Sequence, residues 1–168
     1  MKKDITELST KYRVRYLLEE DVPEIYDLCS KNEMYYRFYP PFATEKSIRD
    51  DMKALPPGKD MSDKYFIGYY DQSRLVAVMD LIMGFPDEKT AFLGFFMTDA
   101  SVQKTGVGSC IIEELGTFLR GEGISGIRLC WVIGNPQAEH FWKKNGFIET
   151  GDTHEFDNCT VKIAYKGL

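Results

Sequence analysis

The turn at residues 103–108 has the composition of a phosphate-binding site. It reads Gln103-Lys104-Thr105-Gly106-Val107-Gly108 and lies between a predicted strand and a predicted helix. Glycines let the backbone approach a ligand closely, and the first amides of a helix have no partner within the helix. Such amides bind phosphate or pyrophosphate even on an acidic protein. The alternative is a tight strand-to-helix connection that binds nothing.

Two common phosphate-binding motifs do not fit this turn. A Walker loop ends in Gly-Lys-Ser/Thr, whereas here Gly108 is followed by Ser109-Cys110. A dinucleotide fingerprint needs a third glycine, and position 111 is isoleucine. The turn therefore indicates a phosphate ligand of another class.

A second block of residues begins at Asn135. Asn135 is typical of a helix N-cap, and Pro136 fits the first helical position. Ala138 and Phe141-Trp142 form the inward face of that helix, and Gly146 ends it before Phe147 opens a strand.

The elements around these blocks predict one α+β domain, with residues 1–13 as an N-terminal extension. Short loops between neighbouring strands favour antiparallel pairing. We predict four helices: one over 19–30, one capped by Thr44, one after the glycine-rich turn and one from Pro136. The predicted strands span residues 14–17, 65–70, 75–83, 91–98, 127–132, 147–150 and 160–165.

Together the two blocks resemble the GNAT superfamily, the N-acetyltransferases that use acetyl-coenzyme A. The turn matches the family pattern Gln/Arg-x-x-Gly-x-Gly/Ala, and the second block matches in order and separation. The resemblance implies a mixed, mostly antiparallel twisted sheet of six to seven strands flanked by about four helices. It covers roughly residues 14–165, with its specific motifs inside 92–147.

The resemblance also implies how acetyl-coenzyme A is bound. Backbone amides from Lys104 to Ser109, with Gln103 opening the motif, would hold the pyrophosphate. Met97 and Thr98 would pair with the pantetheine arm like an added strand, and the Thr98 amide would polarise the thioester carbonyl. Asn135 and Trp142 would line the path of the arm.

Trp142 departs from the family, which often has tyrosine there to protonate the leaving thiolate. An indole N–H donates a hydrogen bond but is not a usable acid near neutral pH. Either another group protonates the thiolate, or it leaves unassisted. Core packing beside Phe141 is the alternative role of Trp142.

The general base is the open question of the mechanism. Many relatives use a carboxylate on the fourth strand, but residues 92–97 contain none. The nearest candidate is Asp80, on the same face of its strand as Val78 and Ile82, where a carboxylate must be paired or linked to water. We therefore expect Asp80 to be the base or, with more weight, a structural hydrogen-bonding group. The two histidines, His140 and His154, are expected at the surface, His154 in a loop over residues 151–158.

Five aromatic residues lie between positions 35 and 42, where the family covers its acceptor pocket. Tyr35, Tyr36 and Tyr39 could stack on a planar or cationic substrate, and the alternative is that they are ordinary core residues. The double proline Pro40-Pro41 disfavours a helix across this segment.

Composition limits the partners. The formal net charge of −5 argues against a nucleic-acid binder, no stretch is long enough for a membrane span, and two histidines make a zinc site improbable. We expect a cytoplasmic protein with reduced cysteines, no metal and a small-molecule or peptide amine as acceptor, and we leave a homodimer open.

A non-catalytic acyl-CoA-binding or regulatory protein is the second functional hypothesis. Transfer of another acyl or aminoacyl group is the third.

Overall fold

The computed structural model describes residues 4–168. In this range the chain forms seven strands and five α-helices around one sheet. The strands are β1 (Arg13–Tyr16), β2 (Lys64–Asp71), β3 (Arg74–Met83), β4 (Thr90–Thr98), β5 (Gly126–Val132), β6 (Ile148–Glu155) and β7 (Thr160–Gly167). The helices are α1 (Val22–Ser30), α2 (Glu33–Phe38), α3 (Glu45–Lys53), α4 (Val107–Gly121) and α5 (Pro136–Lys144).

The sheet has the strand order β1-β2-β3-β4-β5-β7-β6. All neighbours are antiparallel except β4 and β5, which are parallel. The expected single α+β domain with a mixed, mostly antiparallel sheet is therefore confirmed.

The sheet separates two hydrophobic layers. On one face, Ile111 and Leu115 of α4 pack with Ile67 and Met79 of the sheet. On the other face, Ile25 of α1 belongs to a second cluster that contains Ile48 of α3 and Phe66 of β2. Because side chains alternate along a strand, β2 supplies both layers from adjacent residues.

The start of the chain is packed against the first layer. Leu8 is fully buried, and the hydroxyls of Ser9 and Thr10 both donate to the Glu114 carboxylate on α4, at 2.6 Å each. Residues 4–12 of the predicted N-terminal extension are thus attached to the domain, and residues 1–3 lie outside the described range.

Two elements differ from the sequence prediction. Helix α2 was not predicted, but the double proline does not prevent it, because the helix ends at Phe38, before Pro40. Strand β6 continues to Glu155 past a register shift between Glu149 and Thr153, so His154 lies on an exposed strand and not in a loop. His140 is exposed on α5, as expected.

Candidate active site

The parallel strands β4 and β5 separate after a short stretch of pairing. They pair only over Thr90–Phe92 with Gly126–Arg128. Within the described chain, the later residues of both strands have no partner across this gap, although β5 still pairs with β7 as far as Val132. The gap therefore presents strand edges that an extended ligand can pair with, as a peptide does when it adds to a sheet.

A bulge in β4 accompanies this separation. The β3–β4 register passes from Asp80 opposite Phe95 to Leu81 opposite Leu93, which leaves Gly94 as the extra residue. An extra residue bends the strand that carries it and increases its twist. The bulge thus directs the end of β4 away from β5.

The glycine-rich turn follows the open end of β4. Lys104 and Gly106 both have positive φ angles, of 61° and 89°, and α4 begins at Val107. In the part of the chain that the structure describes, no side chain caps α4, whereas Thr44 caps α3 and Asn135 caps α5. The first amides of α4, which include those of Gly108 and Ser109, are left to bind an anion, and the helix dipole favours one there.

Gly108 lies close against α5. A Cβ atom at Gly108 would lie 3.0 Å from the Phe141 ring and 3.7 Å from Cγ2 of Thr98. At Gly106, by contrast, no heavy atom of the described residues other than Gly106 and its chain neighbours lies within 4 Å of the Cβ position. Gly108 is thus needed for packing, and Gly106 is needed for its left-handed backbone.

The Gln103 side chain points inward and fixes the end of β4. Its Nε2 donates to the Thr98 carbonyl at 3.3 Å and to the side-chain oxygen of Asn32. The Asn32 amide donates to the same Thr98 carbonyl at 3.2 Å and to the Leu28 carbonyl at 3.0 Å. Asn32, which was not predicted from the sequence, therefore ties the junction of α1 and α2 to the end of β4. The predicted oxyanion role of the Thr98 amide stays a prediction, as does the pairing of Met97 with the pantetheine arm.

Asn135 and Trp142 have clear structural roles. The Asn135 side chain accepts from the Ala138 amide at 3.2 Å, the predicted N-cap. Trp142 is 9% exposed and packs against Phe141 and Phe147, with ring centroids 4.8 and 5.2 Å away. Its ring also lies 6.0 Å from Phe96, on the part of β4 that has separated from β5. Core packing of Trp142 is therefore observed, and its contact with the pantetheine arm stays a prediction.

Asp80 forms a buried ion pair. Nζ of Lys64, a residue only 1% exposed, lies 2.8 Å from Oδ2 of Asp80 and donates to the Ala54 carbonyl at 2.9 Å. Burial raises the pKa of Asp80, and Lys64 opposes that shift. The same Oδ2 would lie 3.2 Å from a Cβ at Gly94, so the carboxylate occupies the space beside the β4 bulge. The pairing favours the structural role of Asp80, and a role as base stays a hypothesis.

Residues of α2 line two cavities. The first, of about 110 Å³, is lined by Ile25, Cys29, Tyr36, Tyr39, Pro41, Ser47, Ile48, Asp51, Phe66 and Phe95. The second, an open groove of about 560 Å³, is lined by Arg37, Phe38, Pro40, Val132, Ile133, Asn158, Cys159 and Thr160. The structure thus brings Tyr36 and Tyr39 to a cavity, whereas Tyr35 packs edge-on against Phe95, with ring centroids 5.9 Å apart.

Asp51 is a cavity residue that sequence reasoning did not single out. It follows Ile48 by three positions, so helical periodicity places the two residues on one side of α3. That spacing was the only available signal, because the aromatic partners come from other elements.

Two further observations concern residues 4–168 as a whole. No group of three or more His, Cys, Asp or Glu side chains is arranged to hold a metal ion. No helix in this range is both long and apolar enough to cross a membrane.

Comparison with known proteins agrees with this architecture. The sequence model of the acetyltransferase (GNAT) family matches residues 18–147. A search of curated proteins gave no significant match.

Solved structures share the fold at low sequence identity. An acetyltransferase from Thermus thermophilus is 17% identical with a TM-score of 0.73, over 94% of this chain and 97% of that one. The PaiA N-acetyltransferase from Thermoplasma acidophilum, solved in complex with coenzyme A, is 18% identical with a TM-score of 0.64. That match covers 94% of this chain and 99% of the PaiA chain. The spermidine N-acetyltransferase from Vibrio cholerae, solved with coenzyme A and spermine, is 20% identical with a TM-score of 0.68. That match covers 95% of this chain and 96% of the Vibrio chain. With the family match covering more than half of its length, this chain belongs to the GNAT acetyltransferase family.

Proposed function

We propose that this protein transfers an acetyl group from acetyl-coenzyme A to a primary amine of a small molecule or peptide, in the cytoplasm. The observation that carries the proposal is the continuity of the β4–β5 gap with the uncapped start of α4. An extended arm that ends in a pyrophosphate fits a strand edge that leads to a set of free helix amides.

The residues around the gap fit the coenzyme on two further grounds. Positions 104–106 are exposed, so an anion can reach the turn from solvent. The open space at Gly106 gives a phosphate oxygen room to approach the backbone. When bound, acetyl-coenzyme A supplies an activated acetyl group for direct attack by the amine.

The chain's own residues then position the reactants. In this proposal the edge of β4 at Met97 and Thr98 orients the arm, and the Asn32–Gln103 network holds that edge in place. A donor fixed before the reaction begins costs no reorganisation, which is why a rigid Thr98 amide suits polarisation of a carbonyl.

The second hypothesis is a non-catalytic acyl-CoA-binding protein. The buried Trp142 at the usual tyrosine position favours it, as does the engagement of Asp80 by Lys64. Transfer of another acyl or aminoacyl group would use the same gap and turn.

Release of free thiol from acetyl-coenzyme A, measured over a panel of amines, polyamines and amino acids, distinguishes these functions. We expect thiol release that depends on one class of amine, with the acetylated product identified by mass spectrometry. Tight binding of coenzyme A with no thiol release for any amine would support the non-catalytic hypothesis. Release only with another acyl-CoA would support the third.

A further inference from the structure

The smaller cavity between α1, α2 and α3 has walls suited to a cation. Four of its lining residues are aromatic: Tyr36, Tyr39, Phe66 and Phe95. Ring faces attract alkylammonium groups through their quadrupole, most strongly where water is excluded. Its volume of about 110 Å³ suits one end of a ligand and not a large ring system.

Asp51 is the single charged residue among those that line this cavity. Within residues 4–168 its carboxylate makes no hydrogen bond and no salt bridge, although the residue is exposed and a ligand can reach it. Its neighbours on α3 are engaged, since Asp50 pairs with Lys46 at 2.7 Å and Glu45 with Arg49 at 3.1 Å. The nearby cation, Lys64, is held by Asp80 and the Ala54 carbonyl. The cavity thus carries one negative charge that the described side chains do not pair.

The position of the cavity relative to β4 decides what that charge can bind. Phe95, which lines the cavity, and Met97, at the proposed acetyl end of the gap, lie on the same face of β4. They are two residues apart, which is about 7 Å along a strand. An ionised carboxylate also stabilises an ammonium ion in its charged form, and a charged amine cannot attack a carbonyl. Asp51 is therefore suited to a part of the acceptor other than the nitrogen that reacts.

We propose that this cavity binds a second ammonium group of the acceptor, one that stays protonated during the reaction, with Asp51 as its counter-ion. The acceptor is then a slender diamine or polyamine whose two nitrogens are separated by a short alkyl chain. This proposal rests on the proposed function, because it assigns the two ends of one acceptor.

The charges that face Asp51 agree with this assignment. Partial burial and the neighbouring Asp80 raise the pKa of Asp51 to about 6, while Lys64 lowers it and Asp50 adds a smaller upward effect. Burial raises the pKa of the Cys29 thiol to about 11 and also raises the pKa values of Tyr36 and Tyr39. These three groups are neutral at pH 7, whereas Asp51 is ionised. Since the ionised form attracts the ammonium, diamine binding should weaken as pH falls from about 7.5 to about 5.

The kinetic test compares 1,6-diaminohexane, whose extended chain exceeds the 7 Å separation, with 6-amino-1-hexanol, which lacks the second charge. In Asp51→Asn we expect kcat/KM for the diamine to fall about tenfold or more, and kcat/KM for the amino alcohol to stay within about twofold. Asp50→Asn, a change of the same kind on the same helix, is the matched control and should alter neither. Asp51→Glu keeps the charge and should keep most of the preference for the diamine.

A direct binding measurement separates this proposal from the proposed function. Titration of 1,6-diaminohexane, followed by tyrosine fluorescence without coenzyme A, should show binding that Asp51→Asn weakens and Asp50→Asn does not. If diamine binding depends on Asp51 but no amine is ever acetylated, the subsite stands and the proposed function fails. If Asp51→Asn lowers activity equally for both amines, or leaves the diamine unaffected in both assays, the subsite is refuted while acetyl transfer stands.

Discussion

Replacement of Gly106 by alanine tests the phosphate turn with a perturbation whose size the structure defines. Gly106 has φ of 89°, and among residues 4–168 no heavy atom beyond its chain neighbours lies within 4 Å of its Cβ position, so the added methyl group meets no other part of the described fold. An L-residue in this left-handed region costs about 1–2 kcal/mol. For a chain of this length that corresponds to a fall in Tm of about 2–8 °C.

Gly123, at the other end of α4, provides the matched control. Its φ is 78°, and its Cβ position is likewise more than 4 Å from every heavy atom of the described chain beyond its sequence neighbours. Gly123→Ala should therefore cost the same backbone strain at the helix end opposite the proposed pyrophosphate. Gly108 is a poorer choice, because a Cβ there would meet the Phe141 ring at 3.0 Å and mix a packing defect with a binding defect.

Calorimetric titration with coenzyme A gives the decisive comparison. Gly106→Ala should weaken binding at least about tenfold, or about 1.4 kcal/mol, because the methyl group projects where the phosphate must approach the amides. Gly123→Ala should bind coenzyme A like the unchanged protein, with a similar fall in Tm. Equal affinities in the two variants would refute the assignment of this turn to pyrophosphate.

Two further predictions concern buried groups. Trp142→Phe should lower the free energy of unfolding by less than about 3 kcal/mol and keep most of the thiol-release activity, because an apolar ring remains beside Phe96. A folded variant that binds coenzyme A but has lost turnover would show that the indole N–H is needed in the transition state. Lys64→Met should lower the free energy of unfolding in urea by about 3–5 kcal/mol, since Asp80 is left buried without its cation, and adding Asp80→Asn should recover much of that loss. Simple addition of the two single effects would argue that the pair is not energetically coupled.

The local signals in the sequence were sufficient to predict the conformation of the glycine-rich turn and the start of α5. The turn at 103–108 and the Asn135 cap depend on residues close together in the chain, so their composition predicts their conformation. Helix α2 was missed because it is only six residues long and a double proline, which favours extended backbone before it, follows closely.

The proposed acceptor side depends on contacts between distant segments, which composition does not reveal. Asp80 was predicted to need a partner, but Lys64 becomes that partner only through the register of β2 on β3. In that register Phe66 stands opposite Asp80, and Lys64 is its diagonal neighbour. Asn32 and Asp51 were missed for the same reason, since each acquires its role from strands more than ten residues away.

The two outer edges of the sheet differ in kind from the inner gap. At one edge β1 is only four residues long, and at the other β6 carries Glu149, Asp152 and Glu155 and is interrupted by a register shift. Short, charged and irregular edges discourage a foreign strand from joining the sheet and so protect against aggregation. The long unpaired edges of β4 and β5 lie inside the fold, where neighbouring elements limit what can enter. The protein can therefore keep main-chain groups available for a small extended ligand without exposing a template for self-association.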